Sequence, residues 1–228
     1  MKKRICCFLI ALSACFGANR ARAQTYWVAA FGDSLTAGFG VDKQDAFPVQ
    51  LADFLYEDGF SVGTLNYGKT GDTTRDALRR LQEVIARMPD VVIIQLGIND
   101  VIKGIPLNET EKNLSRMVAA AKKNEIAVLL AGVSMPKMTP ETDVDAYAAM
   151  YRRIARKYNV PLYPNFTAGV ANYATGAADY DLLGEDRMHP NAEGISVITE
   201  GILPQVKEIL KALDVKYDSQ RNPKKGAP

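Results

Sequence analysis

Val91-Val92-Ile93-Ile94-Gln95-Leu96 decides how the rest of the chain is interpreted, because five of its six side chains are apolar. A continuous apolar run, rather than an alternating one, is typical of a parallel strand that is covered on both faces. Ile126–Gly132 is a second run of this kind. Further apolar stretches of strand length lie at Tyr26–Phe31, Phe60–Asn66 and Val160–Tyr163. The sequence therefore predicts a buried parallel sheet.

Longer amphipathic stretches separate these runs. In one of them Leu78, Leu81, Ile85 and Met88 recur three or four residues apart, which is typical of a helix with one face in the core. The predicted helices are Phe47–Asp58, Thr73–Arg87, Glu109–Lys123, Val144–Tyr158 and Ala192–Leu213. Strands that alternate with helices in this way predict one α/β domain, a three-layer α/β/α sandwich around the parallel sheet.

The first 23 residues have the three parts of a secretory signal. Lys2–Arg4 is basic, Ile5–Ala18 is apolar, and Ala21-Arg22-Ala23 is a small-x-small cleavage site. The apolar run is shorter than the roughly 20 residues that span a bilayer, so no membrane span is expected after processing. The sequence predicts a periplasmic or secreted protein that is cleaved after Ala23. Leu12-Ser13-Ala14-Cys15 resembles a lipobox, which leaves a lipoprotein acylated at Cys15 as the alternative.

Removal of this segment changes the charge and the cysteine content. Five basic residues and no acidic residue lie in it, which leaves 23 basic and 26 acidic residues. A nucleic-acid partner is therefore not expected. Cys6, Cys7 and Cys15 all lie in the segment, so the mature domain has neither a cysteine nucleophile nor a thiolate metal site. That domain is expected over 24–213, and the polar tail 214–228 is predicted to be disordered.

Ligands of parallel α/β sheets bind beyond the carboxyl ends of the strands. Four polar segments are expected to meet at that edge. Gly32–Leu35, Thr70–Thr73 and Gly97–Asp100 each follow a predicted strand, and Asp186–Pro190 precedes the last helix. The sequence therefore predicts the functional site where these four segments converge.

His189 is the only histidine of the chain, and Asp186 precedes it by three residues. A lone histidine is more often structural than catalytic, but a carboxylate at this spacing can fix the imidazole tautomer and leave the second nitrogen free to accept a proton. Ser34 follows a strand and a glycine, and a serine hydroxyl needs such a base to become a nucleophile. Ser34, Asp186 and His189 are the candidate catalytic residues.

Attack on an acyl carbon creates a negative oxygen that needs hydrogen-bond donors. Gly71 lacks a side chain and can bring its backbone N–H close to a substrate. The side-chain amide of Asn99 is a second candidate donor. Each also has a structural alternative, since Gly71 suits a turn and Asn99-Asp100 suits a helix cap.

Taken in order, Gly32-Asp33-Ser34-Leu35, Gly71, Gly97-x-Asn99-Asp100 and Asp186-x-x-His189-Pro190 resemble the motifs of the SGNH, or GDSL, hydrolase family, most closely its bacterial thioesterase I, lysophospholipase and arylesterase branch. Thr36 stands where the Gly-x-Ser-x-Gly elbow of α/β-hydrolases has its last glycine. The resemblance implies a flavodoxin-like sheet of order 2-1-3-4-5 and an oxyanion hole made by the N–H groups of Ser34 and Gly71 and by Asn99. It implies no metal or organic cofactor.

Departures from the family pattern bear on the substrate rather than on the reaction. Tyr67-Gly68-Lys69 stands where small or apolar residues are common, Ile98 replaces a frequent second glycine, and Ala171–Tyr180 resembles a short insertion. We expect the acyl group to lie along an apolar groove of the residues Ile98, Val101, Ile102, Met135 and Met138, although ordinary packing under a loop explains the same residues.

The expected activity is hydrolysis of a small-molecule carboxylic ester or thioester by a monomer. A carbohydrate O-acetyl esterase, an acyltransferase and an inactive ligand-binding member of the same fold remain the alternatives.

Overall fold

The central sheet has the class and the strand order that the sequence predicts. The computed structural model describes residues 25–136 and 143–221. The main strands are β1 Tyr26–Gly32, β2 Val62–Gly68, β3 Val91–Gln95, β4 Ala127–Ala131 and β5 Leu162–Tyr163. All neighbours pair in parallel in the order β2-β1-β3-β4-β5. Every residue of the central strand β3 is buried, so the prediction made from its continuous apolar run is confirmed.

The helices form two layers around this sheet. They are α1 Ser34–Ala37, α2 Phe47–Glu57, α3 Thr74–Ile85, α4 Ile98–Ile102, α5 Leu107–Lys123, α6 Val144–Tyr158 and α7 Ala192–Arg221. α2 contacts α7, whereas α5 contacts α3 and α6. The predicted three-layer sandwich is therefore confirmed. α1 and α4 were not predicted, because helices of four and five residues are too short to display a helical period.

Helix α7 extends beyond Leu213, at which the sequence analysis ended the domain. It continues to Arg221, and thus through residues that were assigned to a disordered tail. Contacts with the first strand account for the difference. The ring of Tyr217 stacks on that of Tyr26 with centroids 6.3 Å apart, and its hydroxyl donates to Asp90 Oδ1 at 2.8 Å.

The predicted insertion forms a small hairpin of its own. Its antiparallel strands are β6 Ala171–Asn172 and β7 Ala177–Ala178. Short strands without an apolar period are not predictable from composition, so this hairpin was found only in the structure.

Three predictions concern residues that the structure does not describe. The signal segment 1–23 with Cys15, the end of the tail and Met138 lie outside the described residues. Within residues 25–136 and 143–221, no helix is both long enough and apolar enough to cross a membrane.

The strand register places the site. Gly32 at the end of β1 pairs with Gly68 at the end of β2 and with Gln95 at the end of β3. Three strands therefore end side by side, and the segments that follow them meet at the carboxyl edge of the sheet.

Candidate active site

The nucleophile candidate lies on a sharp turn from strand to helix. Asp33 is the N-cap of α1, and its Oδ1 accepts the Leu35 N–H at 3.0 Å, which holds Ser34 at the first helical position. A Cβ at Gly32 would lie 2.0 Å from Thr36 Oγ1, so only glycine allows so tight a turn. Gly32 and Asp33, which directly precede Ser34, thus fix the direction of its side chain.

A buried polar network supports this turn from below. Gln95 Nε2 donates to Asp33 Oδ2 at 3.3 Å, and Gln95 Oε1 accepts from Thr36 Oγ1 at 2.8 Å. Burial raises the pKa of Asp33 to about 7, against the opposing effect of the hydrogen bonds from Leu35 and Gln95. This network was not predicted, because in the sequence Gln95 is only the one polar residue of a buried strand.

The structure brings the three predicted catalytic residues together. His189 Nε2 lies 2.8 Å from Ser34 Oγ, across a sequence separation of 155 residues. His189 Nδ1 lies 2.6 Å from Asp186 Oδ2. An ionised carboxylate can only accept, so Nδ1 carries the proton and Nε2 is left to accept the Ser34 hydroxyl proton.

The turn that presents this base is held by its own backbone. Asp186 Oδ1 accepts the N–H groups of Met188 and His189, each at 2.9 Å, and the Gly184 N–H donates to the His189 carbonyl at 2.8 Å. Burial would raise the pKa of Asp186, but the hydrogen bonds from the His189 ring and from these two N–H groups outweigh it and lower the pKa to about 2. Asp186 is therefore an anion at every pH at which the fold is expected to work.

The predicted oxyanion donors surround the same turn. Neither Ser34 N–H nor Gly71 N–H donates to another residue that the structure describes. Gly71 has a φ of 80°, which favours glycine, and a Cβ there would meet open space. Asn99 follows β3 on α4, and its Nδ2 donates to the Asp72 carbonyl at 3.1 Å, which leaves the second amide hydrogen for another acceptor.

Phe39 is a further residue at the site that the sequence analysis missed. Its ring lies 4.6 Å from that of His189, tilted by 47°, and 46% of Phe39 is exposed. A pocket of about 390 Å³ opens between Phe39 and the catalytic turn. Its walls are Phe39, Gly40, Gly184, Glu185, Asp186, His189 and Pro190. The one available signal was the aromatic residue between two glycines at residues 38–40.

Tyr173 connects the inserted hairpin to the catalytic turn. Its hydroxyl donates to the Met188 carbonyl at 2.9 Å, and its backbone N–H donates to Ser134 Oγ at 2.9 Å. Burial raises the pKa of Tyr173, so its hydroxyl keeps its proton and remains a donor. The sequence analysis placed the insertion before the turn but did not assign it a contact there.

The predicted acyl groove is not open in this structure. Ile98, Val101 and Met135 are buried in the core, and Met138 lies outside the described residues. Ile102 is the one predicted groove residue, among those described, that is exposed. The contact of Ile98 and Met135 with substrate remains a prediction, and their packing is the alternative stated with it.

The sequence is similar to those of known proteins. Residues 30–195 match the GDSL-like lipase/acylhydrolase family. An arylesterase of Vibrio mimicus is 31% identical over 183 residues, which are 80% of this chain and 87% of the relative. Thioesterase 1/protease 1/lysophospholipase L1 of Escherichia coli is 28% identical over 180 residues, 78% of this chain and 82% of the relative.

A solved structure extends the likeness to the fold. The crystal structure of TesA superposes with a TM-score of 0.73 at 27% identity, and the match covers 82% of this chain and 99% of that one. The resemblance inferred from the motifs is confirmed by the family match over residues 30–195. The chain belongs to the GDSL-like lipase/acylhydrolase family, a family of enzymes that hydrolyse ester bonds.

Proposed function

We propose that the chain is an exported serine esterase that hydrolyses carboxylic ester or thioester bonds, of the arylesterase, thioesterase or lysophospholipase type. The contact of His189 Nε2 with Ser34 Oγ at 2.8 Å, with Asp186 on the other ring nitrogen, is the observation that carries the proposal. Two side chains 155 residues apart in sequence meet in the arrangement that makes a serine hydroxyl nucleophilic.

Acylation is the first half of the proposed reaction. Ser34 Oγ attacks the acyl carbon while its proton passes to His189 Nε2. The carbonyl oxygen becomes an oxyanion, which accepts hydrogen bonds from the N–H groups of Ser34 and Gly71 and from Asn99. His189 then gives the proton to the departing alcohol or thiol, and the acyl group remains on Ser34.

Deacylation repeats these steps with water. His189 takes a proton from the water as its oxygen attacks the acyl-enzyme, and the proton then returns to Ser34 Oγ as the acid leaves. Asp186 stabilises the imidazolium in both halves of the reaction without taking the proton itself. Its low pKa, about 2, suits a residue that must remain an anion beside a charged ring.

The position of Phe39 indicates where the leaving group binds. Because His189 must protonate that group, the group has to lie beside the imidazole, and Phe39 offers an exposed aromatic face there. We propose that the pocket of about 390 Å³ between Phe39 and the catalytic turn receives an apolar or aryl leaving group.

The test is hydrolysis of p-nitrophenyl esters of increasing acyl length, together with an acyl thioester, by the protein from Gln24 onward. We expect Ser34→Ala to lose about six orders of magnitude in kcat if chemistry limits turnover. Ser219→Ala is the matched control, since Ser219 is exposed on α7 and is expected to leave turnover unchanged. Near-equal activity of the wild type and Ser34→Ala would refute the proposal.

The same panel separates the alternatives that the sequence left open. Preference for acetyl esters of sugars would indicate a carbohydrate O-acetyl esterase. Faster consumption of ester when an alcohol is added, with transfer of the acyl group to it, would indicate an acyltransferase. Mass spectrometry of the exported N-terminus would distinguish a protein that begins at Gln24 from one lipidated at Cys15.

A further inference from the structure

Arg80 on α3 is a largely buried basic side chain beside the site. Its side chain is 14% exposed, and all of its polar contacts are with groups at the carboxyl edge of the sheet. Nε donates to Asp72 Oδ2 at 2.6 Å, Nη1 to the Tyr67 carbonyl at 2.7 Å and Nη2 to the Gly32 carbonyl at 3.0 Å. The guanidinium also lies 4.6 Å from the centroid of the Phe31 ring.

Two of the three acceptors lie next to the proposed oxyanion donors, and the third, the Tyr67 carbonyl, lies on β2, which leads into the Gly71 loop. Gly32 precedes Ser34 by two residues, and Asp72 directly follows Gly71. The Asp72 carbonyl in turn accepts the side-chain amide of Asn99 at 3.1 Å. One guanidinium therefore connects the strand that leads to the nucleophile with the loop that bears one donor and orients another.

A contribution to stability does not by itself explain the ion pair between Arg80 and Asp72. The Asp72 side chain is only 7% exposed, and removing two charges from water offsets much of their attraction. An apolar pair of similar volume often serves a core as well. What an apolar pair cannot supply is the planar fork of donors that fixes three acceptors at set distances.

We propose that Arg80 is a positioning residue for the oxyanion hole. It holds the Gly71-Asp72 loop at a fixed distance from Ser34 and, through the Asp72 carbonyl, sets the direction of the Asn99 amide. The inference rests on the proposed function, because an oxyanion hole matters only to an enzyme that forms a tetrahedral intermediate on Ser34. Nothing in the sequence singled out Arg80, since it lies among Arg75, Arg79 and Arg87 on the same predicted helix.

The neighbouring Arg79 provides a matched control. It lies on the same helix, its side chain is 72% exposed, and it pairs with Asp76 at 3.2 Å on the surface. Exposed pairs of this kind contribute little to a fold. Arg79→Met therefore repeats the chemical change of Arg80→Met without touching the segments around Ser34.

The experiment compares Arg80→Met, Arg80→Lys and Arg79→Met with the wild type, using the ester that the wild type hydrolyses fastest. We expect Arg80→Met to lower kcat about tenfold to a hundredfold, somewhat less than the loss of a whole oxyanion donor, with KM within about threefold. The kcat of Arg80→Lys should lie between those of Arg80→Met and the wild type, because lysine keeps the charge but not the planar fork of donors. Arg79→Met should match the wild type in both constants.

A double substitution separates positioning from a general effect on the fold. If Arg80 acts through the oxyanion hole, Arg80→Met should cost much less kcat when Asn99→Ala has already removed one of the groups that it positions. The rate of inactivation by a p-nitrophenyl alkylphosphonate should fall with kcat in the Arg80 variants, because phosphonylation of Ser34 develops charge on the same donors.

Equal additive losses in both backgrounds would overturn the proposal. So would an unchanged kcat per folded molecule together with a lower melting temperature, or failure of both Arg80 variants to fold, since each would make Arg80 structural. If Ser34→Ala is inactive while the Arg80 variants keep full kcat, only this inference fails. If Ser34→Ala is active, the proposed function itself fails.

Discussion

Two sides of the site, with Ser34 between them, are built in different ways. The base side is the turn of residues 184–190, whose hydrogen bonds are mostly internal and whose Asp186 side chain is 41% exposed. The other side, which we propose forms the oxyanion hole and call the oxyanion side, consists of Gly71, Asp72, Arg80 and Asn99. It is partly buried, and its contacts join residues as far as 48 apart in sequence.

The two sides therefore differ in how far their geometry depends on the rest of the fold. The base side can fail chemically while the fold survives, because few contacts of the core depend on it. The oxyanion side is assembled by the same contacts that join three strand ends, so its geometry depends on the fold. The predictions below test this contrast, in order of the free energy that we expect each change to cost.

Asp186→Asn should be the most harmful of these substitutions to catalysis. An amide can hold the imidazole in the wrong tautomer and cannot stabilise its charge, so we expect kcat to fall about ten-thousandfold. The free energy of unfolding at neutral pH should also fall, because the ionised carboxylate stabilises the turn above about pH 4, but by less than the activation free energy rises, since the side chain is 41% exposed. Ester hydrolysis and thermal unfolding measure the two effects. Glu193→Gln, an exposed change in the first turn of α7, is the control, and equal losses in both variants would contradict the role of Asp186.

Asn99→Ala tests the other side. Loss of one oxyanion donor should lower kcat about a hundredfold to a thousandfold. The variant also loses the hydrogen bond to the Asp72 carbonyl, so it should be less stable by about 1 kcal/mol. Steady-state kinetics and chemical denaturation give both numbers, with the exposed Asn108→Ala as control. A fall in kcat below tenfold would remove Asn99 from the oxyanion hole.

Asp33 and Asp186 should give stability opposite pH dependences. Burial raises the pKa of Asp33 to about 7, so the folded protein binds a proton there that the unfolded chain releases near pH 4. Its contribution is complete below about pH 4 and is lost as the pH rises through about 7. The pKa of Asp186 is lowered to about 2, so its contribution is present above about pH 4 and is lost toward pH 2.

Asp33→Asn isolates the buried group, because asparagine is an equally good N-cap but does not titrate. Chemical denaturation between pH 4 and pH 7 should give a flatter profile for this variant than for the wild type. Asp53→Asn, an exposed change on α2, should keep the wild-type slope. An unchanged slope in Asp33→Asn would show that Asp33 is ionised throughout that range.

Tyr173→Phe should have the smallest effect. It removes the hydrogen bond to the Met188 carbonyl, worth about 1 kcal/mol, so we expect kcat to fall by about fivefold as the turn becomes less ordered. The exposed Tyr180→Phe, on the same segment, should behave as the wild type. A larger loss of stability than of kcat would assign Tyr173 to the hairpin rather than to the base side.

The contrast between local contacts and contacts of residues distant in sequence also explains which features could be predicted from the sequence. β3 was predictable because each of its residues is buried and all but Gln95 are apolar. The pairing of Asp186 with His189 was predictable because the two residues are only three positions apart in the sequence. Gln95, Arg80 and Tyr173 could not be assigned, since each acts through partners on other elements. The end of α7 was missed for the same reason, because Tyr217 stabilises it by stacking on Tyr26.

Covalent labelling tests the central claim, that His189 makes Ser34 a nucleophile, most directly. The protein is treated with a p-nitrophenyl alkylphosphonate at neutral pH, and the adduct is located by peptide mass spectrometry. We predict one phosphonyl group per chain, on Ser34, with none on Ser34→Ala and far slower labelling of His189→Ala. An adduct on another residue, or equal labelling of wild type and His189→Ala, would contradict the account.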